Sequence, residues 1–221
     1  MNRIKNILVM FAVLATVLAC DRDFESDGVA LGTIRFPAIQ VQGDPVIIVN
    51  QGGTYTDAGA KALLGADDIT SRIETSSDLD LNAAGVYTIN YSVTNVNELD
   101  QETTVTEQRV VVVAPSNPNL SRDLSGTYTR TIATGVGTAV WTKIAPGLYI
   151  NDNIGGVVPP NPLILSVYVF DFADGTLSVP EQPVNGFGTL TANVTTTAAG
   201  YNVVIPNHPN FGTGNRVFIK Q

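Results

Sequence analysis

The most regular stretch of the chain is "VYTINYSVT" (86–94), in which Tyr87, Ile89, Tyr91 and Val93 alternate with Thr88, Asn90, Ser92 and Thr94. A period of two is that of a strand with one face buried. A slip of one residue would turn all four large side chains outward, so the register is well specified. "RVVVVA" (109–114) lacks this alternation and fits a strand covered on both faces or a terminal strand, and "VIIVN" (46–50) is a further apolar run. "DITSRIET" (68–75) alternates Ile69 and Ile73 less cleanly, and "TDAGAKALLG" (56–65) could form a helical turn that Gly59 and Gly65 keep short. Residues 33–114 therefore read as an antiparallel β-sandwich.

"APSNPNLSRD" breaks the pattern with two prolines, placing a linker over 115–122. Beyond it, residues 123–221 resume the β pattern and predict a second antiparallel domain, sandwich or barrel-like. "LILSVYVFDF" (163–172) is apolar on both faces, as a central strand should be. Asp174-Gly175 predicts one tight hairpin and "LTANVTTTAAGYNVVI" another, while "NDNIGGVVPPNP" (151–162) is too rich in proline and glycine to pair in a sheet. The whole chain is thus expected to be all-β.

The N-terminus is organised differently. Arg3 and Lys5 precede an apolar run from Ile7 to Ala19, the anatomy of a signal peptide over 1–19 and too short to span a bilayer. Val17-Leu18-Ala19-Cys20 resembles the bacterial lipobox, which implies diacylation of Cys20, the only cysteine, and a membrane anchor without a spanning segment. The acidic residues Asp21, Asp23, Glu25 and Asp27 lie in a segment, 20–32, that reads as a flexible tether and loosely resembles the export signal of Bacteroidetes surface lipoproteins. Removal of 1–19 takes away two of 12 basic residues and none of 20 acidic ones, leaving a formal charge of −10. Nucleic acid and anionic lipid surfaces are poor partners for such a chain. With Cys20 acylated, no thiol remains for disulfides, thiol catalysis or zinc.

Candidate chemistry is sparse, and no cofactor is expected. His208, the single histidine, sits between prolines with neither a second histidine nor a nucleophile elbow, and reads as a loop residue. Asp57 with Asp67 and Asp68, and the run Asp78-Leu79-Asp80, offer hard oxygen ligands to calcium but lack EF-hand spacing, and read as turn carboxylates. No pair of carboxylates is marked out for glycoside hydrolysis, so a catalytic role is not expected. In "TAVWTKI" the alternation sets Val140 with Ile144 on one face and Trp141 with Lys143 on the other, directing Trp141 away from the core. There, with Lys143 beside it, it could stack on a sugar ring, joined by Tyr149, with Asn151, Asp152 and Asn153 supplying hydrogen-bond groups. Packing of Trp141 beneath the 151–162 loop or against the other domain is the alternative.

Residues 43–113 resemble the Ig-like domain that recurs in bacterial surface lipoproteins. The matching residues are Gly53, Tyr55, Asp57, Gly59 and Ala60, then Asp68-Ile69-Thr70, then Gly85, Tyr87 and Tyr91; "LLGA" (63–66) and "NVNELDQE" (95–102) depart from the pattern in loops. The second half, from "DLSGTYTRTI" through "VWTKIAPGLYINDNIGG", resembles the β-rich domain found beside such modules. The resemblance implies a Bacteroidetes-type accessory lipoprotein of a glycan-uptake locus of the starch-utilisation-system type. It would be anchored in the cell envelope, facing outward from the outer membrane, with a polysaccharide or oligosaccharide and an outer-membrane transporter complex as partners. The competing expectation is a structural spacer or protein-interaction module with no small ligand.

Overall fold

Seven strands carry the chain from Pro37 to Ala114 in a computed structural model, which describes residues 35–97, 100–184 and 186–221. The segments expected to be signal peptide (1–19) and tether (20–32), with Cys20, lie outside the described residues. The strands are β1 (Pro37–Val41), β2 (Val46–Asn50), β3 (Ala60–Leu64), β4 (Asp67–Asp68), β5 (Glu74–Ser77), β6 (Gly85–Val96) and β7 (Glu102–Ala114). One sheet has the order β1-β3-β4 and the other β2-β7-β6-β5, in which β2 runs parallel to β7 and the remaining pairs are antiparallel. Ile89 and Tyr91 of β6 and Val111 and Val113 of β7 form the sandwich core, which Val93 extends with Ala62 and Ile69.

Two expectations need correction here. Residues 56–65 form no helical turn: Ala60–Leu64 is β3, paired residue for residue with β1. Gly59 and Gly65, at φ +73° and +64°, bound the strand, and β1 supplies backbone partners that a single helical turn could not. Residues 68–75 are not one strand either, because a 3-10 turn at Thr70–Arg72 separates β4 from β5. The Asp68 carboxylate accepts the Thr70 N–H at 2.8 Å, a local bond that competes with strand pairing.

The second half contains β8 (Gly126–Ile132), β9 (Gly135–Ala145), β10 (Leu148–Asn151), β11 (Val167–Asp171), β12 (Leu177–Pro183), β13 (Thr189–Thr197), β14 (Gly200–Val204) and β15 (Arg216–Lys220). These close into an antiparallel barrel with β9 returning to β10. Both expected hairpins are present, β11–β12 through Asp174-Gly175 and β13–β14 ending at Thr197 opposite Gly200. β11 begins only at Val167, so 163–166 belongs to the preceding loop.

Eight strands enclose a space that side chains fill. Here it holds Tyr128, Trp141, Tyr149, Tyr201 and Phe218. Tyr201 stacks on Phe218 at 4.5 Å and meets Trp141 edge-on at 4.9 Å. The outward orientation expected of Trp141 is therefore corrected. The period along β9 is two, but Gly137, Ala139 and Trp141 take the inside while Val136, Thr138 and Val140 face solvent. Small residues beside the tryptophan leave room for the indole, and β-branched residues are well tolerated on an outer barrel face.

The two halves meet through side chains. Val86, Val112 and Ala114 on the outer face of the four-stranded sheet bury against Leu148 and Phe170 on the barrel wall, with Tyr168 and Phe172 packed alongside. This explains why neither "RVVVVA" nor "LILSVYVFDF" alternates. Val111 and Val113 face the sandwich core while Val112 faces the barrel, and Val167 and Val169 face the barrel interior while Phe170 faces the sandwich. The connecting segment is tied down by Asn119 N–H donating to Asp171 O (2.8 Å), Ala173 N–H donating to Asn117 O (2.9 Å), and Arg122 clasping the buried Asp171 carboxylate through both oxygens.

Candidate functional site

β11 and β12 pair only at Phe170 with Ser178 and Asp171 with Leu177. Beyond that point β12 carries Pro180 and Pro183, which have no N–H to donate, and its pairing with β13 shifts register between Val179 and Gln182. The buried Gln182 side chain takes the missing strand's place: Oε1 accepts the Tyr168 N–H at 2.7 Å, and Nε2 donates to Tyr168 O at 3.0 Å. Backbone groups are thereby satisfied without a close strand, and the wall opens.

Two cavities lie at this opening, both lined by Pro183. One, of about 340 Å³, is walled by Ile150, Pro162, Ile164, Tyr168 and Val184. The other, of about 320 Å³, lies between sandwich and barrel, walled by Asp78, Thr88 and Gln108 on one side and by Glu181 and Thr189 on the other. Both fall in the size range of ligand pockets. Burial pushes the Tyr168 hydroxyl above its ordinary pKa, so it is a neutral donor and acceptor near pH 7. Asp78 Oδ1 accepts the Thr88 N–H at 2.7 Å and Glu181 Oε1 accepts the Thr189 hydroxyl at 2.8 Å. Asp78 Oδ2, Glu181 Oε2 and the Gln108 amide have no hydrogen-bond partner among the described residues. An apolar wall beside free carboxylate and amide groups can hold a ligand that is apolar on one face and rich in hydroxyls on its edge.

The residues singled out from sequence for stacking on a sugar lie elsewhere. Trp141, Tyr149, Asn151 and Asn153 are buried in the barrel, and Lys143 and Asp152 are exposed. Tyr149 OH donates to Arg122 O (3.3 Å), Asn151 Nδ2 donates to Tyr201 OH (3.0 Å), and Asn153 caps the following loop through Thr138 O and both backbone groups of Val157. The polar groups of Tyr149, Asn151 and Asn153 are used within the barrel, the buried Trp141 Nε1 has no hydrogen-bond partner among the described residues, and no outward aromatic platform forms. His208 is buried too, its Nε2 3.1 Å from Phe187 O and its Nδ1 accepting the Asn210 N–H.

The acidic trio does not converge. Asp57 accepts from Tyr91 OH (2.7 Å), Tyr55 OH (2.9 Å) and Arg109, while Asp67 pairs with Arg35 at 3.6 Å and Asp68 caps the turn at Thr70. Among the described residues, no three His, Cys, Asp or Glu side chains group to hold a metal ion.

The groove residues carry no motif. Asp78 stands out in the sequence only as part of Asp78-Leu79-Asp80, and "VPEQP" (179–183), two prolines inside a strand-like run, marks an edge or a break in a ladder.

Residues 39–113 match the family model described as bacterial surface protein, Ig-like domain. The N-terminal sandwich is thus an Ig-like domain, and the chain is Ig-like sandwich followed by closed β-barrel. Among solved structures, the chain aligns with a lipoprotein from Bacteroides thetaiotaomicron at 21% identity, covering 84% of this chain and 100% of that one, TM-score 0.40. It also aligns with the M60 catalytic domain with the CBM51-1 and CBM51-2 domains from Clostridium perfringens ZmpB at 16% identity, covering 77% of this chain and 14% of that one, TM-score 0.29. No curated protein matches.

Proposed function

We propose that this is a non-catalytic, lipid-anchored protein of the cell envelope, held by Cys20 at the outer membrane, that binds a glycan in the groove beside Pro183 and presents it to an uptake complex. The observation that carries this reading is the meeting, at one proline, of an apolar cavity and an inter-module cleft with free Gln108, Asp78 and Glu181 groups. Sugars offer an apolar ring face and a hydroxyl edge, and each half of the groove suits one of them. The buried contact between sandwich and barrel would fix both walls of the cleft, lowering the ordering cost of binding. The surface-protein Ig-like match supports the placement on the cell envelope.

A glycan-array screen of the chain from Cys20 onward, with Cys20→Ser to prevent acylation, tests the reading. A saturable response to one polysaccharide class is expected; silence across plant, host and microbial glycans would overturn it.

One observation favours a second reading, a protein-interaction module. Among the described residues no strand pairs with the outer edge of β2, and its Val46 and Ile48 side chains stand 40% and 44% exposed. Such an edge can accept a strand from a partner. Co-purification of a transporter from detergent extracts without any sugar response would select it.

A further inference from the structure

Arg130 and Arg216 face into one end of the barrel: Arg130 lies two residues from Tyr128 on β8, and Arg216 two residues from Phe218 on β15, and both aromatics belong to the barrel core. Arg216 is only 6% exposed. The two other described arginines drawn into the interior, the buried Arg109 and the partly buried Arg122, each have a carboxylate. Arg109 has Asp57 and Arg122 has Asp171, yet among the described residues neither Arg130 nor Arg216 has an acidic side chain within ion-pair distance. The two are close enough that the charge of Arg130 adds to burial in lowering the Arg216 pKa.

What holds them is a set of carbonyls and one ring. Arg130 Nη1 donates to Gly155 O (3.1 Å) and Gly156 O (3.4 Å); Arg216 donates to Gly214 O (2.9 Å) and Phe211 O, and its guanidinium lies 5.2 Å from the Phe211 ring centre. Gly155 and Gly156 admit this arrangement because a Cβ on the first would meet Phe211 at 2.4 Å and on the second Arg130 at 2.8 Å. Nε and Nη2 of Arg130 and Nε of Arg216 remain without a hydrogen-bond partner among the described residues, and none of them is sealed from solvent. Two like charges brought together in a desolvated place cost stability unless an opposite charge joins them. In a chain with 20 acidic and 12 basic residues, none of the acidic side chains described has been placed there.

We propose that Arg130 and Arg216 form an oxyanion site at this end of the barrel, with the free guanidinium donors taking a carboxylate or a sulfate group. Planar guanidinium forks match both groups in geometry. The site is separate in its residues from the groove and does not depend on glycan binding there.

The test is nitrogen-15 NMR of the arginine Nε–Hε groups in the chain from Cys20 onward carrying Cys20→Ser. It would be titrated with sodium sulfate, sodium glucuronate and glucose against sodium chloride of matched ionic strength, with Arg130→Lys and Arg72→Lys for assignment. Saturable shifts of both Arg130 and Arg216, with a midpoint on the order of 1 mM, are expected for sulfate, glucuronate or both. The anion that shifts them identifies the group bound. Glucose should leave them unmoved, and Arg130→Gln should abolish the response at Arg216. Shifts that only follow ionic strength, or that move exposed Arg72 as much as the pair, would overturn the proposal. This readout decides in the wild-type chain even if Arg130→Gln fails to fold.

Discussion

Asp57 and Arg109 lie 52 residues apart in sequence and form an ion pair inside the Ig-like sandwich, with the Arg109 side chain 1% and the Asp57 side chain 26% exposed. Arg109 also donates to Tyr55 OH (2.9 Å) and to the carbonyls of Gln42 and Gly59, so β7 is bolted to the end of β1 and to the irregular segment between β2 and β3. The Tyr-x-Asp-x-Gly pattern at 55–59 thus has a physical role: Tyr55 and Asp57 receive the arginine, and the Asp57 carboxylate also accepts the Gly59 N–H at 3.1 Å.

Removing one partner of a buried pair leaves the other charge unpaired. Asp57→Ala should lower the unfolding free energy by about 3 kcal/mol, the lower end for such pairs because the carboxylate is partly exposed. Chemical denaturation checks this.

The same pair sets an acid dependence. Burial works against the ionised carboxylate, but hydrogen bonds from Tyr91 and Tyr55, the Arg109 charge and the Gly59 amide outweigh it and hold Asp57 below its ordinary value of 3.8. A carboxylate with a depressed folded-state pKa adds stability that is complete above its unfolded value and lost as pH falls through the folded one. The stability difference between wild type and Asp57→Asn should therefore be flat above pH of about 5 and shrink below about 4. A difference constant down to pH 2 would remove the carboxylate from the account.

Arg122 and Asp171 form the second internal pair, with Asp171 fully buried and Arg122 also reaching Gly175 O at 3.1 Å. Arg122→Ala should destabilise the barrel by about 3–5 kcal/mol, whereas adding Asp171→Asn should recover part of that loss by removing the stranded charge. Additive losses in the double variant would contradict the pairing.

Trp141 reports on the barrel interior. Its fluorescence should be blue-shifted and inaccessible to iodide, and Trp141→Ala should cost about 3–5 kcal/mol. A red-shifted, readily quenched emission would place the indole outside.

Much of this fold was legible in the sequence because one-sided strands announce themselves. The alternation through Tyr87–Val93 gave β6 its faces, and Asp174-Gly175 marked its hairpin. Alternation fixes the period along a strand and leaves open which face is inside, which is why Trp141 and Val140 were assigned to opposite sides of the wall from those they occupy. Closure of a barrel is a long-range event with no local signal on β9. Gln108, Glu181 and Gln182 are ordinary polar residues whose meeting depends on how sandwich and barrel pack. The Asp57–Arg109 pair was hidden for the same reason, since each residue alone reads as a solvated charge.

The most direct measurement of the central claim is titration calorimetry of the soluble chain with the polysaccharide class found on the array, repeated with Gln108→Ala/Glu181→Ala and with Ile164→Asp. The account predicts saturable binding in the wild type, weakened at least about tenfold in both variants, equivalent to about 1.4 kcal/mol, with thermal stability retained. Undiminished binding in both would place the glycan away from the Pro183 groove and contradict the account.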